Sequence, residues 1–134
     1  MINKTCSTCG LTYAPAEEKE HLSFHLRYLF IQKKYPGDVY HPSKIKEIKD
    51  QAINLIENDY SQDRFHTFEG GELLAHVEFT KYLFQTRNYI SFEEFMNKQL
   101  SSQVDSPYLD DILFFWEEAM RYRKIRKEVS KYKY

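Results

Sequence analysis

A chain of 134 residues carrying 19 Lys and Arg against 20 Asp and Glu has a formal charge of -1, with 42% hydrophobic and 16% aromatic content. That length suits one domain, and 10 Phe, 11 Tyr and 1 Trp argue against wholesale disorder, while only 4 Gly and 4 Pro argue against a turn-dense sandwich or barrel. No apolar run approaches the ~20 residues that span a bilayer, and no signal-peptide stretch follows Met1, so a soluble, cytoplasmic, mainly α protein is expected.

The first feature in chain order is Cys6-Ser7-Thr8-Cys9, which holds both cysteines and leaves none for a disulfide framework. After eleven intervening residues comes His21-Leu22-Ser23-Phe24-His25, so the run reads C-x2-C, then H-x3-H. A two-residue spacer lets two thiolates point at one centre, and an α-helix puts imidazoles four apart on one face. Cys6, Cys9, His21 and His25 are therefore the expected ligands of one structural zinc, with Gly10 suited to a knuckle of positive φ. A redox pair lacks the strand leading into a βαβ unit, and Leu22 stands where a metalloprotease motif needs Glu. A closed four-ligand set leaves no open coordination position, which points away from catalysis.

The segment from Cys6 to His25 resembles the two-cysteine two-histidine finger family, and within it the variant of sister-chromatid cohesion acetyltransferases. The likeness rests on C-S-T-C-G, Leu11, Tyr13, the acidic run and Phe24, about 20 of the 134 residues. It implies a ββα unit with four ligands. The acetyltransferase activity does not carry over, because no Gly-rich acetyl-coenzyme A loop follows. The spacer is one residue shorter than in the common finger, and Glu18 stands where that finger has a core Leu. With His21 as helix position 7, the base-reading positions fall on Ala14, Glu17 and Glu20. Two acids out of three repel phosphates, so the finger is not expected to read DNA.

The finger helix is expected to start at Pro15 and to run past His25 to Lys33 and Lys34, where Pro36-Gly37 ends it. Leu22, Leu26, Leu29 and Phe30 form one apolar stripe, and Phe24, Tyr28 and Ile31 a second, so both faces are expected to be covered. Ser43 is expected to cap a helix to Asn58, with Ile45, Ile48, Ala52, Leu55 and Ile56 inward. Residues 61–71, with Gly70-Gly71, read as a loop. A buried helix over 72–87 follows, then one opened by the capping pattern Ser91-Phe92-Glu93-Glu94, then a long one from Ser106-Pro107 with Leu109, Ile112, Leu113, Trp116, Ala119 and Met120 inward. The organisation expected is a finger with extended helix over 1–35, a helical core over 36–120 and a basic tail over 121–134, about five helices forming one unit.

His41, His66 and His76 are scattered, Glu72 and His76 read as an ordinary helix-face pair, and no phosphate loop, dinucleotide fingerprint or nucleophile elbow is present. An enzyme and a small-molecule substrate are therefore not expected. Charge is uneven: residues 1–56 hold 8 bases and 6 acids, 57–118 hold 4 and 13, and 119–134 hold 7 and 1, giving +2, -9 and +6. In the last segment Arg121, Arg123, Lys124, Arg126, Lys127 and Lys131 alternate with Tyr and Ile, a pattern suited to phosphate neutralisation with base stacking. The function expected is a small zinc-binding regulator that contacts DNA or RNA through this basic end. The alternative is a non-enzymatic interaction or inhibitor module, of the kind found in phages and mobile elements, that offers its acidic 57–118 surface to a protein partner.

Overall fold

The structure is a computed structural model; it describes residues 2–6 and 12–130, and their side chains as far as Lys124. Cys9, Gly10, Leu11 and Lys131, and the side chains of Arg126 and Lys127, lie outside the described residues.

The chain opens on two short antiparallel strands, β1 (Lys4–Thr5) and β2 (Thr12–Tyr13), with Lys4 opposite Tyr13 and Thr5 opposite Thr12. Pro15 starts a 3-10 turn, Pro15–Glu17, in which the Glu17 carboxylate accepts from the Ala14 N–H at 3.1 Å. That turn leads into α1 (Glu18–Lys34), with acids in its first turn and Lys33 and Lys34 in its last, each opposing the nearby pole of the helix dipole. The ββα order and the long finger helix are thus as expected. Gly37, at φ 81°, turns the chain after Pro36.

The next helix starts differently from expectation. His41, not Ser43, is the cap: its Nδ1 accepts from the Ser43 N–H at 3.1 Å and opens the 3-10 turn Pro42–Lys44, which runs into α2 (Ile45–Glu57). Pro42 decides this, since proline suits the first helical position and places the cap one residue earlier.

The expected loop over 61–71 is overturned from residue 65 on, because α3 spans Phe65–Thr86 and contains both glycines. Asp59 prepares its start. One carboxylate oxygen accepts from the Ser61 N–H and hydroxyl at 3.0 and 2.5 Å, and the other from the Thr67 N–H and hydroxyl at 2.7 and 2.6 Å. Gly70 and Gly71 act as notches in the packing. A Cβ at Gly70 would lie 2.6 Å from Ile56 Cγ1 and 2.7 Å from the Ala52 carbonyl oxygen. At Gly71 it would lie 2.9 Å from Phe115 Cβ and nearer still to the Asp111 carbonyl oxygen. The pair lets α2 and α5 approach α3 on either side; as a local signal it reads as a helix breaker.

The helix α4 covers 92–103 as Phe92–Glu94, a π-helical turn Phe95–Gln99 and Leu100–Gln103, and Ser91 Oγ caps it by accepting from the Glu94 N–H at 3.0 Å. Last comes α5 (Leu109–Ser130), so the basic segment is helical through residue 130. The central helix α3 buries Leu74, Phe79 and Leu83 in one cluster with Phe95 and Leu100 of α4 and Ile112, Phe115 and Trp116 of α5. Here too α1 joins. Ile31 is fully buried, Tyr35 meets Phe79 edge-on at 5.2 Å between centroids, Phe24 stacks on Phe84 at 5.4 Å, and Arg27 donates to the Leu83 carbonyl at 2.9 Å. The other stripe of α1 departs from expectation: Leu22, Leu26, Leu29 and Phe30 are 59, 70, 57 and 52% exposed. Docking against the end of α3 covers only the Phe24 side of the helix.

Candidate metal centre

Two elements converge on one point. Cys6 follows directly on β1, and the strand pair folds it back over the first turns of α1, where His21 and His25 sit one turn apart. Cys6 Sγ lies 3.3 Å from His25 Nε2, and the two Nε2 atoms lie 2.9 Å apart. All three ligand atoms fall within 4.8 Å of one another. Tetrahedral bonds of about 2.3 Å to sulfur and 2.05 Å to nitrogen would put ligands about 3.5 Å (S to N) and 3.3 Å (N to N) apart. The observed distances are a few tenths of an ångström shorter, so a metal ion fits with small outward movements. The donors, a thiol and two imidazoles, are those of borderline-soft divalent metals.

The surroundings fix the rings. Tyr13 of β2 stacks on His21 at 4.1 Å with 14° between planes, His21 is buried, and Phe24 meets His25 edge-on at 6.4 Å. Aromatic packing restricts both imidazoles to orientations that keep their Nε2 atoms together. Cys6, His21 and His25 are thus brought together as the spacing predicts; the fourth expected ligand, Cys9, lies outside the described residues. The acids Glu17, Glu18 and Glu20 are exposed, beside rather than within the cluster.

A second feature involves the expected nucleic-acid contacts. Arg121, Arg123 and Lys124 are exposed along α5. Arg121 lies 3.4 Å from Glu118 and Arg123 lies 3.9 Å from Glu93, exposed pairs of the kind that contribute little and exchange readily. The Arg123 guanidinium stands 5.9 Å from the Trp116 ring. Together with Tyr122, Arg123 enters a groove of about 380 Å³ whose walls include Trp116, Phe92, His76 and Glu72. His76 is held in place. Its Nδ1 lies 2.8 Å from the Asp38 carbonyl oxygen, to which it donates, and its ring stacks on Phe92 at 4.2 Å with 8° between planes. Sequence reading missed this groove because its walls come from α3, α4 and α5. The signals available were the Glu72-His76 spacing and the Tyr122 interleaved between arginines.

Among the described residues, no helix is long and apolar enough to cross a membrane. Comparison with models of protein families, with curated proteins and with solved structures gave no match, so the chemistry of the chain rests on its own geometry: a cysteine and two histidines placed to hold a metal ion at the head of a helical domain.

Proposed function

We propose that this chain is a zinc-stabilised, non-enzymatic binding protein that contacts single-stranded nucleic acid through the basic end of α5 and the aromatic groove beside it. Zinc is held by Cys6, Cys9, His21 and His25, and its role is to pin the strand pair to α1. The observation that carries the nucleic-acid reading is the shared groove, in which Tyr122 and Arg123 of the basic segment stand with Trp116, Phe92 and His76. Cations neutralise phosphates while the exposed Tyr122 ring accepts an unstacked base, worth ~1–3 kcal/mol. The Glu72 carboxylate in the wall suits the amino group of a base rather than a phosphate.

Trp116 is the only tryptophan, so its fluorescence reports the groove directly. Titration with a single-stranded oligonucleotide at low salt is expected to quench it, with affinity falling as salt rises. Replacing Arg121, Arg123 and Lys124 with Ala is expected to flatten the log-log salt dependence by about 2, at ~0.7 for each phosphate left without its cation. Absence of quenching and of binding at low salt refutes the reading. A protein partner is the second reading, favoured by the exposed Leu22, Leu26, Leu29 and Phe30 side chains.

A further inference from the structure

The bare face of α1 has an order of charge that selects its occupant. Leu22, Leu26, Leu29 and Phe30, at i, i+4, i+7 and i+8, make one strip roughly 12 Å long. At roughly 200 Å² per large side chain, their exposures leave about 480 Å² of apolar surface bare. That is near the upper end of the largest patch on an ordinary monomer. Two such strips face to face remove close to 1,000 Å² from water before flanking residues count, where specific interfaces begin.

The strip starts beside Glu17, Glu18, Lys19 and Glu20 and ends beside Lys33 and Lys34, all exposed. Three acids less one base make -2 at one end, and two bases make +2 at the other. A parallel pair of identical helices would bring like ends together. An antiparallel pair sets each -2 end against the copy's +2 end and opposes the helix dipoles. We propose that the occupant of this face is a second copy of the chain, α1 against α1, antiparallel across a two-fold axis near Leu26. Such an interface is isologous and closes on itself, leaving no strip bare. Its ordering cost is low, because the metal centre holds the start of α1 while Phe24, Arg27 and Ile31 hold its other side.

The test is sedimentation velocity on the metal-loaded full chain, without nucleic acid, from about 1 to 200 μM at low salt. The mass is expected to rise from that of one 16.2 kDa chain to twice that value. Leu26→Glu, at a side chain already in water, is expected to retain metal and helicity and to weaken association at least ~100-fold. Glu18→Lys with Glu20→Lys turns the first end to +2, and Lys33→Glu with Lys34→Glu turns the other to -2; each pair is expected to weaken association and the four changes together to regain it, because only antiparallel copies restore the opposed charges. A metal-loaded chain that stays monomeric at the top concentration overturns the proposal, as does a Leu26→Glu dimer as tight as the unaltered one, or a four-fold charge reversal that associates no better than either pair of changes alone. A monomer in this experiment leaves the oligonucleotide titration untouched, so the two readings fail separately.

Discussion

Replacing Gly71 with Ala sets two physical effects against each other with opposite signs. In a helix interior Ala is better than Gly by about 0.8–1.0 kcal/mol, and Gly71 lies well inside α3. On propensity alone the variant is stabilised. The added Cβ, however, would meet Phe115 Cβ at 2.9 Å and the Asp111 carbonyl oxygen at a shorter distance still. Neither is the free end of a side chain; both belong to the frame of α5, so relief requires the helix itself to shift. Overpacking of this kind costs about 1–3 kcal/mol and occasionally more. The worst contact here is with backbone, which places the cost at the upper end. The net expectation is destabilisation by about 1–2 kcal/mol, a fall in Tm of roughly 3–8 °C for a domain of this size. Thermal unfolding followed by circular dichroism, with urea unfolding as a check, measures it. A variant as stable as the parent, or more so, refutes the claim that Gly71 is a packing notch and returns it to an ordinary helical glycine.

Three further outcomes follow from the site and the core. His25→Asn removes the imidazole that stands 2.9 Å from His21 Nε2 and 3.3 Å from Cys6 Sγ; metal analysis is expected to fall from about one ion per chain to well below one, with lower stability, since metal binding and folding are coupled. Retention of full metal content after this change would exclude His25 as a ligand. Hydrogen bonds from Ser61 and then Thr67 hold the Asp59 carboxyl well below the usual carboxylate range. Its contribution is complete above the unfolded value near 4 and is lost as pH falls through the folded value. Asp59→Asn is therefore expected to lower Tm at pH 7, with the gap to the parent narrowing below about pH 4; parallel Tm curves across that range would contradict it. Thr80, fully buried, accepts from the Tyr40 N–H at 3.1 Å and donates to the His76 carbonyl at 2.8 Å. Thr80→Val keeps the shape and strands the Tyr40 N–H, at an expected cost of about 1–3 kcal/mol in urea unfolding; no measurable loss would show that this N–H finds another partner.

Local chemistry made much of this protein readable from its residues. The two histidines of H-x3-H share a helix face by geometry alone, and Cys6 arrives beside them because a short strand pair must fold back on the helix it precedes. Ser91, three residues before Glu94, caps α4 as its pattern indicates, and the helical spacing of apolar positions placed Ile112 and Trp116 inward. These are short-range effects, decided within a few residues. The departures all turn on what lies across from a segment. Gly70 and Gly71 carry a breaker signal in one dimension, yet a missing Cβ is what close helix packing requires. Both apolar stripes of α1 have equal hydrophobic claim, and only the position of α3 leaves Leu22, Leu26, Leu29 and Phe30 in water. The groove shared by His76, Trp116 and Arg123 exists because three helices separated in sequence meet at one place. Periodicity and ligand spacing are properties of the chain; which face is covered, and which glycine is a contact, are properties of its neighbours and appear only when the tertiary structure supplies them.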